Sequence, residues 1–265
     1  MPDLSDDQIA DLRLVQEICE RFHADVVIIG AIAYQIHFPN EARHTADVDL
    51  AVALDLDEFA RLEESLTAAK WTRVPNREHR WRSSNGGILD LLPAGPKLRA
   101  AKQVIWPESQ FTISLVGFDH VFAEAKPFTF ADDLTLKVIP PVVLALLKIV
   151  AFLDDQNRRA KDLVDIRGLL QRYGEDSDLL FGDEALDANL PDFSMATAFL
   201  LGTHLRRLCT ADETALVMRF FDAMDETKPA WTVFVRARSF GDEPENQARA
   251  QLKAFHDGFD CVPRS

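Results

Sequence analysis

His44-Thr45-Ala46-Asp47-Val48-Asp49-Leu50 is the stretch on which the fold turns. At the period of a β-strand, Val48, Leu50, Val52 and Leu54 fall on one face, and Asp47, Asp49, Ala51 and Ala53 on the other. The first face is wholly apolar. The second carries two carboxylates followed by two small residues that leave room beside them. Aspartate is depleted in strands, so placing two there opposes local propensity and needs a compensating gain. Two arrangements supply one. Carboxylates two apart on a strand face converge on a hard divalent cation, or the strand lies at a sheet edge where water solvates both.

Upstream, Val26-Val27-Ile28-Ile29 is a continuous β-branched run ending at Gly30, which predicts a buried strand, a sharp turn and a short helix over 31–37. Such a strand-turn-helix offers free backbone N–H groups to a phosphate; close packing at the glycine explains it equally well. Ser5-Asp6-Asp7 starts an amphipathic helix that runs to about residue 22 through Ile9, Leu12, Val15, Cys19 and Phe22. Downstream, Asp57 is the expected cap of a helix that turns Phe59, Leu62 and Leu66 inward, and a strand follows over 71–74. Asn85-Gly86-Gly87 is a hairpin turn between arms 79–84 and 88–92. Its second arm, Ile88-Leu89-Asp90-Leu91-Leu92, repeats the anomaly of a carboxylate inside an apolar strand. Further strands are expected at 111–116 and 134–139.

Pro140-Pro141 marks a change of character. Beyond it the spacing predicts helices over 142–153, 159–173 (with Gly174 closing the second), 194–209, 211–224 and 244–258. The expected organisation is therefore a strand-rich domain over 1–140 and a helical domain over 141–265.

A hydrophobic fraction of 47% and a charged fraction of 27% are those of an ordinary globular chain. Cys19, Cys209 and Cys261 are far apart and odd in number, which argues against a disulfide framework or a zinc knuckle and suits a reducing cytoplasm. The acidic N-terminus lacks a signal pattern. The longest apolar run, 138–153, holds Pro140, Pro141 and Lys148 and falls short of the roughly 20 residues a bilayer span needs. No membrane partner is expected. The net charge is −14, with both parts of the chain acidic, so no extended DNA-binding face is expected either. The local basic clusters Arg77/Arg80/Arg82, Arg158/Arg159/Lys161 and Arg206/Arg207 suit phosphates, though most such clusters are solvated surface. Seven histidines show no metal-binding spacing, and no nucleophile elbow, Walker loop or dinucleotide fingerprint occurs.

Gly30, Asp47, Asp49 and Asp90 together form an ordered set: a strand-turn-helix, a DxD strand, then a strand with one more Asp. This resembles the nucleotidyltransferase superfamily that includes DNA polymerase beta. Four motifs bring the chain nearer to the AbiEii/AbiGii-type toxin nucleotidyltransferases. Gly30-Ala31 stands where that family usually has Gly-Gly, and Arg43 to Leu50 fits R-x-T-x-D-h-D-h. Lys148-Ile-Val-Ala151 fits K-x-x-A, with Asp155 where an Arg is common and Arg158 or Arg159 one turn on to serve instead, and Lys161-Asp162-Leu163-Val164-Asp165 fits K-D-x-x-D. The motifs span residues 26–166.

The resemblance implies an α+β protein: a polymerase beta-like fold with a mixed sheet and flanking helices, then a helical C-terminal part that closes over the site. It implies transfer of a nucleoside monophosphate from an NTP to an acceptor hydroxyl with Mg²⁺ or Mn²⁺. In that scheme Asp47 and Asp49 bind metal, and Asp90 is the third carboxylate, either a second-metal ligand or the base. Gly30, Ala31, Thr45 and Lys148 bind the nucleotide, and Asp165 organises the site. Read without the resemblance, Lys148 is the one charge in the run 142–153 and would snorkel from a boundary position. Asp162 and Asp165, three apart on one helix face, would simply be solvated. The implied acceptor is tRNA, another RNA or a protein, with a cognate antitoxin as partner. Fold analogy also admits a small cationic acceptor such as an aminoglycoside, or a non-catalytic nucleotide-binding protein; degenerate members tend to lose carboxylates, and this chain keeps three.

Overall fold

The structure, a computed structural model, describes residues 4–39, 47–175, 177–188, 190, 192–237 and 244–261. Thr45 and His44, with the rest of the segment before Asp47, lie outside these residues. The chain divides into two compact units, Met1–Pro140 and Pro141–Ser265.

In the first unit α1 (Asp6–Arg21) opens on a capping box in which Ser5 and Gln8 each accept the other's backbone N–H. The elements β1 (Val26–Ile29), α2 (Gly30–His37), β2 (Asp47–Val52) and α3 (Leu56–Ala68) follow. The cap of α3 is Asp55, not Asp57, because Asp55 has Glu58 three residues on and completes a capping box with it. Then come β3 (Thr72–Arg73), β4 (Arg80–Arg82), β5 (Ile88–Pro93), α4 (Pro96–Ala100), β6 (Gln103–Ile105), β7 (Thr112–Ser114), α5 (Phe118–Glu124), β8 (Lys126–Ala131) and β9 (Leu134–Val138). Seven strands form one mixed sheet in the order β3-β4-β5-β2-β1-β9-β8, and β6 pairs with β7 apart from it. Strand β2 runs antiparallel to β1 and parallel to β5, and β1 runs parallel to β9. The Asp strand is thus the middle strand of seven, which removes the solvated-edge reading.

Position in the sheet explains the composition. All four residues of β1 are buried, as are Val48, Leu50, Ala51 and Val52 of β2, so a strand covered on both faces reads as a continuous β-branched run. Only Asp47 and Asp49, at the start of β2, remain half-buried.

The second unit is helical: α6 (Pro141–Asp154), α7 (Asp162–Arg172), α8 (Asp183–Leu186), α9 (Ala196–Leu208), α10 (Ala211–Ala223), α11 (Pro229–Arg236) and α12 (Pro244–Asp260), with 3₁₀ turns at Asp178–Phe181 and Phe193–Met195. Gly174, one residue past the cap of α7, takes the left-handed conformation at φ 75°. Helices α9 and α12 meet backbone to backbone: a methyl group on Gly202 would overlap the Phe255 carbonyl, and one on Gly258 the Phe199 carbonyl. Arg167 is buried, with no carboxylate partner among the described residues. It donates from Nη1 to the Phe234 carbonyl at 2.8 Å and from Nε to Gln251 Oε1 at 2.5 Å, and desolvation pushes its pKa down to about 10. The three cysteines are free. Among the described residues no helix is long and apolar enough to cross a membrane.

Candidate active site

Three carboxylates meet on one sheet face by register. Asp49 pairs with Asp90 across the parallel β2/β5 ladder, and Asp47 lies two residues from Asp49 on the same side of the pleat. Asp90 in turn sits opposite Arg80 in the β4/β5 hairpin. Arg80 closes the cluster. Its Nε donates to Asp90 Oδ1 at 2.7 Å and its Nη2 to Asp90 Oδ2 at 2.6 Å, and the same Nη2 reaches Asp47 Oδ2 at 2.6 Å. The hydrogen bond to Asp90 is the largest cause of a raised Arg80 pKa, so the guanidinium is a fixed positive charge among the acids.

Asp49 is turned elsewhere. Gly30 begins α2 with φ 65°, and a methyl group on it would overlap the Asp49 carboxylate. The glycine is required twice, for its backbone angle and for the approach of Asp49 to the helix start. Gly30→Ala is therefore expected to lower stability by about 1–2 kcal/mol from the left-handed backbone alone, and to displace Asp49 as well. Urea denaturation of the full chain measures the first effect; an unchanged midpoint would refute this account of Gly30. The second position of the turn has no such need. Ala31 lies buried within α2, where alanine is the best helix former, so the departure from Gly-Gly costs the backbone nothing there.

Whether these residues fit a divalent ion is decided by the donor set. Two carboxylate oxygens from different strands converge on one cationic nitrogen, which is the arrangement a hard cation seeks; such an ion binds oxygens at roughly 2.0–2.1 Å. Asp47, which Arg80 holds by one oxygen, and Asp49 on the same face of the strand are oxygen donors of the kind such an ion takes, with Asp90 paired to Asp49 on the next strand. Among the described residues no three His, Cys, Asp or Glu side chains form a ready metal cage.

In the second unit Lys148 does not snorkel. Only 9% exposed on α6, it donates to Asp162 Oδ1 at 2.8 Å and pairs with Asp165 Oδ2 at 2.8 Å. Both carboxylates are buried on α7, at 0% and 1% exposure, so the acidic helix face is not solvated. Burial alone would depress the lysine pKa; the Asp162 and Asp165 charges outweigh it and hold the ammonium above its ordinary value. Arg159 adds its Nε to Asp162 Oδ2 at 2.8 Å. It thus supplies the cation near the end of α6 that Asp155 does not, while Asp155 accepts the Arg158 backbone N–H at 3.1 Å.

Sequence reading grouped Asp47, Asp49 and Asp90, offered Arg158 or Arg159 in place of the Arg that Asp155 replaces, and gave Arg80 and Asp162 no role of their own at the site. Arg80 had a usable signal. The turn Asn85-Gly86-Gly87 sets a hairpin register that pairs position 80 with position 90, which separates Arg80 from a merely basic surface patch.

A mixed sheet whose central strands carry in-register carboxylates beside a glycine-led helix is the arrangement that the resemblance to nucleotidyltransferases leads one to expect. The family model described as nucleotidyl transferase AbiEii toxin, type IV toxin–antitoxin system, matches residues 13–254, and the chain belongs to that family. Similar solved structures include an antigenic nucleotidyltransferase-like protein from Paracoccidioides brasiliensis, 19% identical over 73% of this chain and 94% of that one, with a TM-score of 0.41. The antibiotic-resistance factor ANT(2'')-Ia is 12% identical over 84% of this chain and 94% of its own, with a TM-score of 0.35. A CCA-adding enzyme in complex with ATP is 11% identical over 97% of this chain and 80% of its own, with a TM-score of 0.35. No curated protein matches the chain.

Proposed function

We propose that the chain transfers a nucleoside monophosphate from an NTP to a hydroxyl of RNA, tRNA in particular, in a divalent-metal-dependent reaction, as the toxin of a type IV toxin–antitoxin pair in the cytoplasm. The observation that carries this reading is the in-register trio Asp47, Asp49 and Asp90 beside Gly30, with a cation already held between two of them. The acceptor hydroxyl gives its proton to Asp90 or to water as its oxygen attacks the α-phosphorus, the bond to the bridging oxygen breaks, and pyrophosphate leaves. Asp47 and Asp49 would hold Mg²⁺ or Mn²⁺, with Asp90 as the third carboxylate. When bound, the ion neutralises charge on the triphosphate and on the leaving pyrophosphate. Gly30, Ala31, Thr45 and Lys148 bind the nucleotide, and Asp165 fixes the Lys148 ammonium.

The family description names a toxin and leaves the acceptor open, so RNA, protein and an aminoglycoside are compared directly. The test is incubation of the full chain with each α-labelled NTP, Mg²⁺ and total RNA, total protein or aminoglycoside. Label is expected in RNA from wild type and absent with Asp49→Asn. Label in protein or drug instead would overturn the acceptor, and label in none of them would return the chain to a non-catalytic nucleotide binder.

A further inference from the structure

Arg80 holds its two carboxylates unequally. Asp90 is its cross-strand partner and is gripped at both oxygens, with its side chain 16% exposed. Asp47 lies one strand further on, opposite Ile88, is held by a single oxygen and is 34% exposed. A paired guanidinium–carboxylate fork is stronger and more directional than a single contact, and solvent weakens the more exposed one further. Yet both depend on the same nitrogen, because Nη2 serves Asp47 and Asp90 together. Like charges drawn to one point on neighbouring strands repel unless a cation stands between them. In this chain that cation is covalently part of the protein.

We propose that Arg80 is the positioning residue of the carboxylate cluster and the group that a divalent ion displaces from Asp47. With no ion bound, the guanidinium keeps Asp47 and Asp90 in register. When an ion arrives, it yields the single contact to Asp47 and keeps its two-point hold on Asp90. The one Nη2 N–H so freed is available to an anion, and a triphosphate supplies one. The ion alone therefore binds weakly, and ion and nucleotide favour each other's binding. This inference rests on the reading of Asp47 and Asp49 as metal ligands.

The experiment titrates Mn²⁺ into the nucleotide-free full chain, followed by the loss of the free-ion EPR signal, for wild type, Arg80→Met, Arg80→Lys and Asp47→Asn. It is repeated with a non-hydrolysable NTP analogue. Arg80→Met keeps length and removes the competing charge; it is expected to bind Mn²⁺ alone about ten-fold more tightly than wild type, with less gain from the analogue. Arg80→Lys is expected to stay near wild type. Urea denaturation gives a second readout: Arg80→Met loses stability in EDTA and regains it in excess Mn²⁺, since an ion that binds only the folded state stabilises it. Equal or weaker Mn²⁺ binding in Arg80→Met, or a stability loss that Mn²⁺ does not restore, overturns the role of Arg80. If wild-type binding is then still lost in Asp47→Asn, the metal reading survives. No Asp47-dependent binding in any variant, with or without analogue, overturns both.

Discussion

Calorimetric titration of the native chain with NTP and Mg²⁺ is expected to show saturable binding that Asp47→Asn and Asp49→Asn each abolish. The two aspartates stand half-buried at the start of the middle strand of the sheet, on one face, beside the Gly30 turn. Asparagine preserves size and removes the charge that a hard cation requires. Loss of an outer-shell partner of a metal ligand costs roughly 10–100-fold in affinity, so loss of a direct ligand should reach about 100-fold or more. Arg82→Gln, on an exposed position of β4, is the control and should bind as wild type does. Equal binding by both aspartate variants and wild type would remove the metal from the mechanism.

The second large effect belongs to Lys148. Replacing it with methionine keeps the volume on α6 and leaves Asp162 and Asp165 buried without the ammonium they share. Breaking a buried pair from one side costs about 3–5 kcal/mol, because the remaining charge has no solvent to return to. Urea denaturation of Lys148→Met should show that loss. The double variant Lys148→Met/Asp165→Asn should recover part of it, since removing both partners is milder than removing one. The pH dependence follows from the raised lysine pKa. The stabilisation is complete below the unfolded lysine value of about 10.4 and disappears as pH rises through the folded value. A plot of the wild-type midpoint should bend downward at that alkaline end, and the Lys148→Met plot should lack that component of the bend. Matching midpoints for the two proteins at neutral pH would show that the cluster carries no stability.

The parts of this fold that the sequence made legible are those where one physical signal dominates. Continuous β-branched residues at 26–29 mark a strand buried on both faces, and alternation at 47–52 sets the two aspartates against an apolar side. Helices α6, α7, α9, α10 and α12 are long enough for their period to speak. Short elements do not give that signal. The strands β6 and β8 and the helices α4, α5, α8 and α11 span one or two turns or a few residues, and tertiary contacts decide them. Strand β8 even contains Pro127, which an edge position tolerates. At the candidate site, residues on one strand were easier to group than residues whose proximity depends on pairing. Asp47 and Asp49 share a strand. The link from Arg80 to Asp47 crosses β5, and that from Lys148 to Asp162 joins two helices.

Strand order also has a consequence for how the molecule comes into being. Ile28 of β1 pairs in parallel with Val138 of β9, and Asp49 of β2 pairs with Asp90 of β5. During synthesis the acidic strand therefore leaves the ribosome well before β5 exists to complete its cluster. The other flank of the sheet stays open until β9 emerges, shortly before α6 begins. Parallel pairings of this kind close long loops and form late. The nascent chain thus carries Asp47 and Asp49 for some time without the constellation they form in the finished fold, and chemistry that needs all three acids is deferred until the first unit has folded.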